Sequence, residues 1–122
     1  MDRRKARAYL DRIGLVTDRN GLFVDRMLAS MEIQMGMEAY RNCNRFTGKS
    51  VDGIVDRIAE RTGCARNMVN RLLFSALERF KDAYDPDKEI FSDICTERTL
   101  DVISPLQFLY LISCDFEDKF GK

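Results

Sequence analysis

At 122 residues and 45% apolar side chains, the chain is long enough to bury one core and too apolar for a disordered tail, so a single domain over residues 1–122 is expected. Its 20 basic and 20 acidic side chains cancel, which excludes the overall positive charge common in nucleic-acid binders. With no histidine and four cysteines (Cys43, Cys64, Cys95, Cys114) that form no C-x-x-C pair, zinc and disulfide frameworks are also excluded.

The cysteines are read as reduced thiols, packed as small apolar residues. The N-terminal "MDRRKARAYL" is basic but leads into no long apolar run, so neither a signal peptide nor a membrane span is expected. A cytoplasmic protein without a membrane partner follows as the expectation. The charge is uneven along the chain. Residues 41–79 carry 8 basic and 4 acidic groups and residues 80–122 carry 5 and 10, leaving +4 and −5.

Strand signals are nearly absent, while apolar residues recur at three- and four-residue spacing, which predicts an all-α fold of about six helices. The first covers roughly Arg3 to Ile13 and stops at Gly14. A second starts near Leu22 and runs about 17 residues, with Val24, Met27, Leu28, Met31 and Met35 on its buried side. "RNCNRFTGKS" reads as a loop, and a third helix spans Ser50 or Val51 to Thr62, ended by Gly63. The fourth runs from Ala65 to Ala83 and is broken by "YDPDKE". "SDICTERTLDVI" reads as a fifth. "SPLQFLYLISCDFEDKF" reads as a sixth, with Ser104 as N-cap and Pro105 in the first helical position.

Residues 55–74 carry the marks of a central helix-turn-helix. Such a unit needs a small residue where the second helix crosses the first, a residue tolerant of positive φ in the turn, and apolar pins beneath the second helix. Ala59, Gly63, and Val69 with Leu72 supply these, and Ile58 and Cys64 are apolar where the unit has its interior. Two helices joined at a glycine also form ordinary αα-hairpins, so the window alone does not fix the use.

On a wheel of 100° per residue, Val69, Leu72, Leu73, Ala76 and Phe80 of the fourth helix share one face. Asn67, Arg71, Phe74 and Glu78 lie opposite, flanked by Asn70 and Lys81. Arg66, Asn67, Asn70 and Arg71 are the candidate base contacts, because Asn pairs bidentately with adenine and Arg with guanine. Lys49, Arg57, Arg61 and Arg45 are the candidate phosphate contacts, joined by Arg41. Met68 and Phe74 suit a partner surface instead, Phe74 reaching either a thymine methyl or a protein.

Three segments resemble a known family, the C-terminal effector domains of the sporulation-initiation response regulators (stage zero sporulation protein A) of spore-forming bacteria. "YLDRIGLVTDRNGLFVDRMLASM" is similar through Ile13, Gly14, Leu15, Gly21, Leu22, Met27 and Leu28. "RIAERTGCARNMVNRLLFSALERF" is similar without a gap through Ile58, Ala59, Val69, Arg71, Ala76 and Glu78. "SPLQFLYLIS" is similar through Pro105, Phe108 and Leu109. The resemblance implies a six-helix domain that binds promoter DNA, often as a tandem head-to-tail dimer, with the fourth helix in the major groove. Where the family's reading helix has arginines, this sequence has Met68 and Phe74, and Arg71 alone remains of that basic set. The family's receiver domain is not expected within residues 1–122.

No enzyme is expected, since the sequence offers no histidine, no phosphate-binding glycine loop and no G-x-S-x-G turn, and no cofactor is called for. Asp85, Asp87 and Glu89 have the spacing that opens a calcium loop, but Ile90 stands where its glycine belongs, and they are read as a solvated turn. The expected function is therefore a sequence-specific transcriptional regulator that reads double-stranded DNA with the helix 65–81. The alternative is an interaction module of the same fold that binds a related regulator or a second copy of itself without reading DNA.

Overall fold

The computed structural model describes residues 1–16, 21–37 and 53–120. Within them the chain is all-helical, with seven helices: α1 (Arg3–Arg12), α2 (Gly21–Gly36), α3 (Ile54–Thr62), α4 (Arg66–Ala83), α5 (Glu89–Ile94), α6 (Glu97–Leu100) and α7 (Pro105–Phe120). None of these helices is long and apolar enough to cross a membrane.

The helix ends follow from local chemistry. Asp2 caps α1, its Oδ1 accepting from the amides of Arg4 (3.0 Å) and Lys5 (3.2 Å). The chain leaves α1 through Gly14 at φ +87°, where an added Cβ would lie 2.3 Å from the Cβ of Ala83. α3 stops at Gly63, φ +69°, with the Cys64 amide bonding back to the Ala59 carbonyl at 3.0 Å, the six-to-one closure of a left-handed helix end. α7 opens on a reciprocal capping box. The Gln107 amide donates to Ser104 Oγ (3.2 Å) and the Ser104 amide to Gln107 Oε1 (2.8 Å), with Pro105 in the first turn as expected.

Two expectations about the elements need correction. The segment read as one helix in "SDICTERTLDVI" is two: α5 begins earlier, at Glu89, and ends at Ile94, before Cys95, whose backbone is extended. Thr96 then caps a new single turn, accepting the Thr99 amide at 3.2 Å, so the side-chain cap restarts the helix instead of continuing it. The expected start of α3 at Ser50 or Val51 lies outside the described residues, and the described helix begins at Ile54 after a left-handed Gly53.

A single apolar cluster draws buried residues from all seven helices. α7 lies against α2 and α4, and α3 closes on both α2 and α4. Rings carry much of this contact: Phe80 of α4 is 4.9 Å from Phe108 of α7 and 5.5 Å from Phe91 of α5, centroid to centroid. Tyr9 of α1 meets Phe116 edge-on at 5.5 Å. Met27 and Met31 are fully buried and Met35 half-buried, in keeping with methionine as core filler. Cys95 and Cys114 are buried and Cys64 half-buried. Burial pushes the Cys95 thiol up to about 11.

Candidate nucleic-acid interface

Packing determines which side of α4 faces outward. Val69, Leu73, Ala76, Leu77 and Phe80 are buried, so the apolar stripe is turned toward Leu77, and Leu72, expected as a pin, is half-buried at its edge. Arg66, Asn67, Asn70 and Arg71, the four candidate base contacts, are all exposed on the first two turns. Ala65 supplies no side-chain cap and the first turn of α4 carries no acid, so the positive dipole end gets no offset from its own helix, although the Met68 amide donates to the Ala65 carbonyl at 3.0 Å.

The candidate phosphate contacts divide. Arg57 and Arg61 are exposed on α3, while Lys49 and Arg45 lie outside the described residues, as do Arg41 and Cys43. Arg61 Nη2 stands 3.8 Å from Glu32 Oε2 on α2, a carboxylate that Arg3 also engages. Arg66 Nη1 is 3.1 Å from Asp56 Oδ1 on α3. Both members of the Arg66–Asp56 pair are largely exposed, and pairs of that kind hold so weakly that a phosphate can replace the carboxylate. Arg57 and Arg71 have no ion-pair partner among the described residues. Arg79 is committed to the fold: its guanidinium lies 3.8 Å over the Phe23 ring and donates to the Leu15 carbonyl at 3.3 Å.

The outward ridge of α4 runs between two hollows. One, about 460 Å³, opens between α4 and the start of α7, walled by Leu73, Phe74, Pro105 and Leu106 with Asn70 and Arg71 at its rim. The other, about 220 Å³, opens toward α2 between Leu22, Phe23, Met68 and Leu72, bordered by Arg26 and again Arg71. Met68 and Phe74, the candidate partner surface, are exposed as expected, at 45% and 56%.

Sequence reading did not find the contributions of α2 and α7. Leu22 had a signal, an apolar residue at the start of α2 outside its Val24–Met27–Leu28–Met31 stripe, and it is 57% exposed. Arg26, Pro105 and Leu106 had none, because only tertiary packing brings them beside α4.

No family model, curated protein or solved structure matches this chain.

Proposed function

We propose that the protein is a sequence-specific DNA-binding regulator of the helix-turn-helix type, with α4 entering the major groove. One observation carries this reading: the four polar candidates Arg66, Asn67, Asn70 and Arg71 share the exposed, uncapped start of a helix that follows α3 through a left-handed glycine. The uncapped amides favour a phosphate oxygen, and Arg57 and Arg61 on α3 are exposed to anchor the flanking backbone. The resemblance of three sequence segments to sporulation effector domains implies the same use of the same helix.

The test is selection from a random duplex pool followed by anisotropy at two salt concentrations. One motif should emerge, with affinity falling steeply as salt rises. Arg71→Ala should cost about 1–3 kcal/mol on that motif and relax its specificity, whereas Arg57→Ala should weaken all duplexes alike. Equal small losses on every duplex for both variants would end the base-reading role of Arg71.

A second reading, an interaction module of this fold, is favoured by one specific feature. Leu22, Met68 and Phe74, three of the five exposed large apolar residues among those described, border the two hollows beside α4.

A further inference from the structure

Resting on that second reading of the α4 face, we propose that the two hollows astride Arg71 receive an acidic, amphipathic segment of a protein partner. Its bulky apolar side chains would fill the hollows, and its carboxylates would pair with Arg71 and Arg26. Three observations on the two linings select this occupant. The walls are apolar, and a side chain such as Phe74 held out to solvent is the kind of anchor that dominates protein–protein contacts. The hollows share Arg71 and are open to solvent side by side, so a continuous chain spans both where a compact metabolite fills only one.

The charge at their edges is of one sign. Arg26 and Arg71 border them and no acidic residue does. Neither Arg71 nor Arg26 has an ion-pair partner among the described residues. A basic or neutral segment would leave both guanidinium groups uncompensated as the face dries, which is costly, whereas carboxylates three or four residues apart on a helix satisfy them. A DNA duplex also brings negative charge, but its phosphates leave the apolar walls facing water. Because Arg71 belongs to both surfaces, an occupied pair of hollows excludes the duplex, and such a partner acts as an antagonist of DNA reading.

The experiment pans a phage-displayed random dodecapeptide library on the full chain and measures an enriched peptide, fluorescein-labelled, by anisotropy. Enriched peptides should combine Leu, Ile, Phe or Trp with Asp or Glu at three- or four-residue spacing. Phe74→Ser and Arg71→Glu should each weaken binding at least tenfold with unchanged helicity, and Val102→Ser, an exposed apolar site outside both hollows, should leave it unaltered. Replacing the peptide's acids with lysine should restore binding to Arg71→Glu. Enrichment of basic or uncharged peptides, no enrichment at all, or indifference to both α4 variants would overturn the proposal. So would a concentration-dependent dimer that Phe74→Ser dissolves, since a second copy would then be the occupant. The DNA reading is judged separately: if peptides bind and no duplex motif emerges it falls alone, and if a motif emerges while peptides fail it survives alone.

Discussion

Tyr9 donates its phenol proton to Asp115 Oδ2 at 2.7 Å, and Lys119 Nζ reaches the same oxygen at 3.2 Å and Asp93 at 3.1 Å. Burial, then the nearby Asp115 charge, raises the Tyr9 phenol well above its ordinary value of 10.0. Desolvation pulls the Lys119 ammonium down, but its hydrogen bonds to Asp93 and Asp115 and the charges of those carboxylates together raise it above 10.5. Each of these groups, like Cys95, holds its proton more tightly folded than unfolded, so its stabilising effect is complete below the unfolded value and disappears as pH rises through the folded one. Stability should therefore be level near neutrality, start to fall at about pH 9 as the unfolded-state thiol of Cys95 ionises, and fall further above about pH 10. Tyr9→Phe should cost about 1–3 kcal/mol at pH 7 and flatten the decline above about pH 10, leaving the part due to Cys95, Lys119 and Tyr84, whose phenol burial also raises above 10.0. Urea melts at a series of pH values check this, and an unflattened decline in the variant would remove Tyr9 from the account. None of this was legible in the sequence, because Tyr9 and Asp115 stand at opposite ends of the chain. The same holds at the candidate site. The polar face of α4 could be read from its spacing, but the carboxylates that engage Arg61 and Arg66 come from α2 and α3, and spacing within α4 says nothing of them.

At the level of elements, Gly14 and Gly63 do different work with the same backbone sign. Gly14 at φ +87° also fills a space too small for any side chain, against Ala83 at the end of α4. Gly63 at φ +69° has nothing within 4 Å of an added Cβ. Gly14→Ala therefore combines backbone strain with overpacking and should cost about 2–4 kcal/mol, while Gly63→Ala carries the left-handed term alone, about 1 kcal/mol. Chemical denaturation of the two variants side by side separates the cases; equal costs would mean that the α1–α4 junction yields and that the close approach is unimportant. Gly14, Gly63 and the Ser104–Pro105 start are where the helix boundaries were legible, since each is set by chemistry within a few residues. The boundary at Cys95 was not, because a run that satisfies helical spacing on both sides gives no sign that Thr96 will cap a fresh turn.

For the whole molecule, the decisive feature is the ring contact among α4, α5 and α7. Phe80, Phe91 and Phe108 meet beneath the outward face of α4, and Phe108 and Phe80 are fully buried. The orientation of α4, and with it the exposure of Asn67, Asn70 and Arg71 and the hollow between Phe74 and Leu106, depends on α7 holding that side of the core. Apolar periodicity placed Phe80 on the buried face of the fourth helix, but it did not single out Phe91 or Phe108 and could not specify that the last helix would set the candidate reading face. If α7 and α4 form one cooperative unit, Phe108→Ala should cost about 3–5 kcal/mol, and helicity and tyrosine fluorescence should be lost at one urea midpoint. Any duplex or peptide affinity should persist in the fraction that remains folded, since Phe108 contributes nothing to the surface. Two separated transitions would mean that α7 melts before α3 and α4. In that case binding should vanish at the first midpoint if the Pro105–Leu106 wall is part of the working surface, and should survive to the second if the polar face of α4 acts without it.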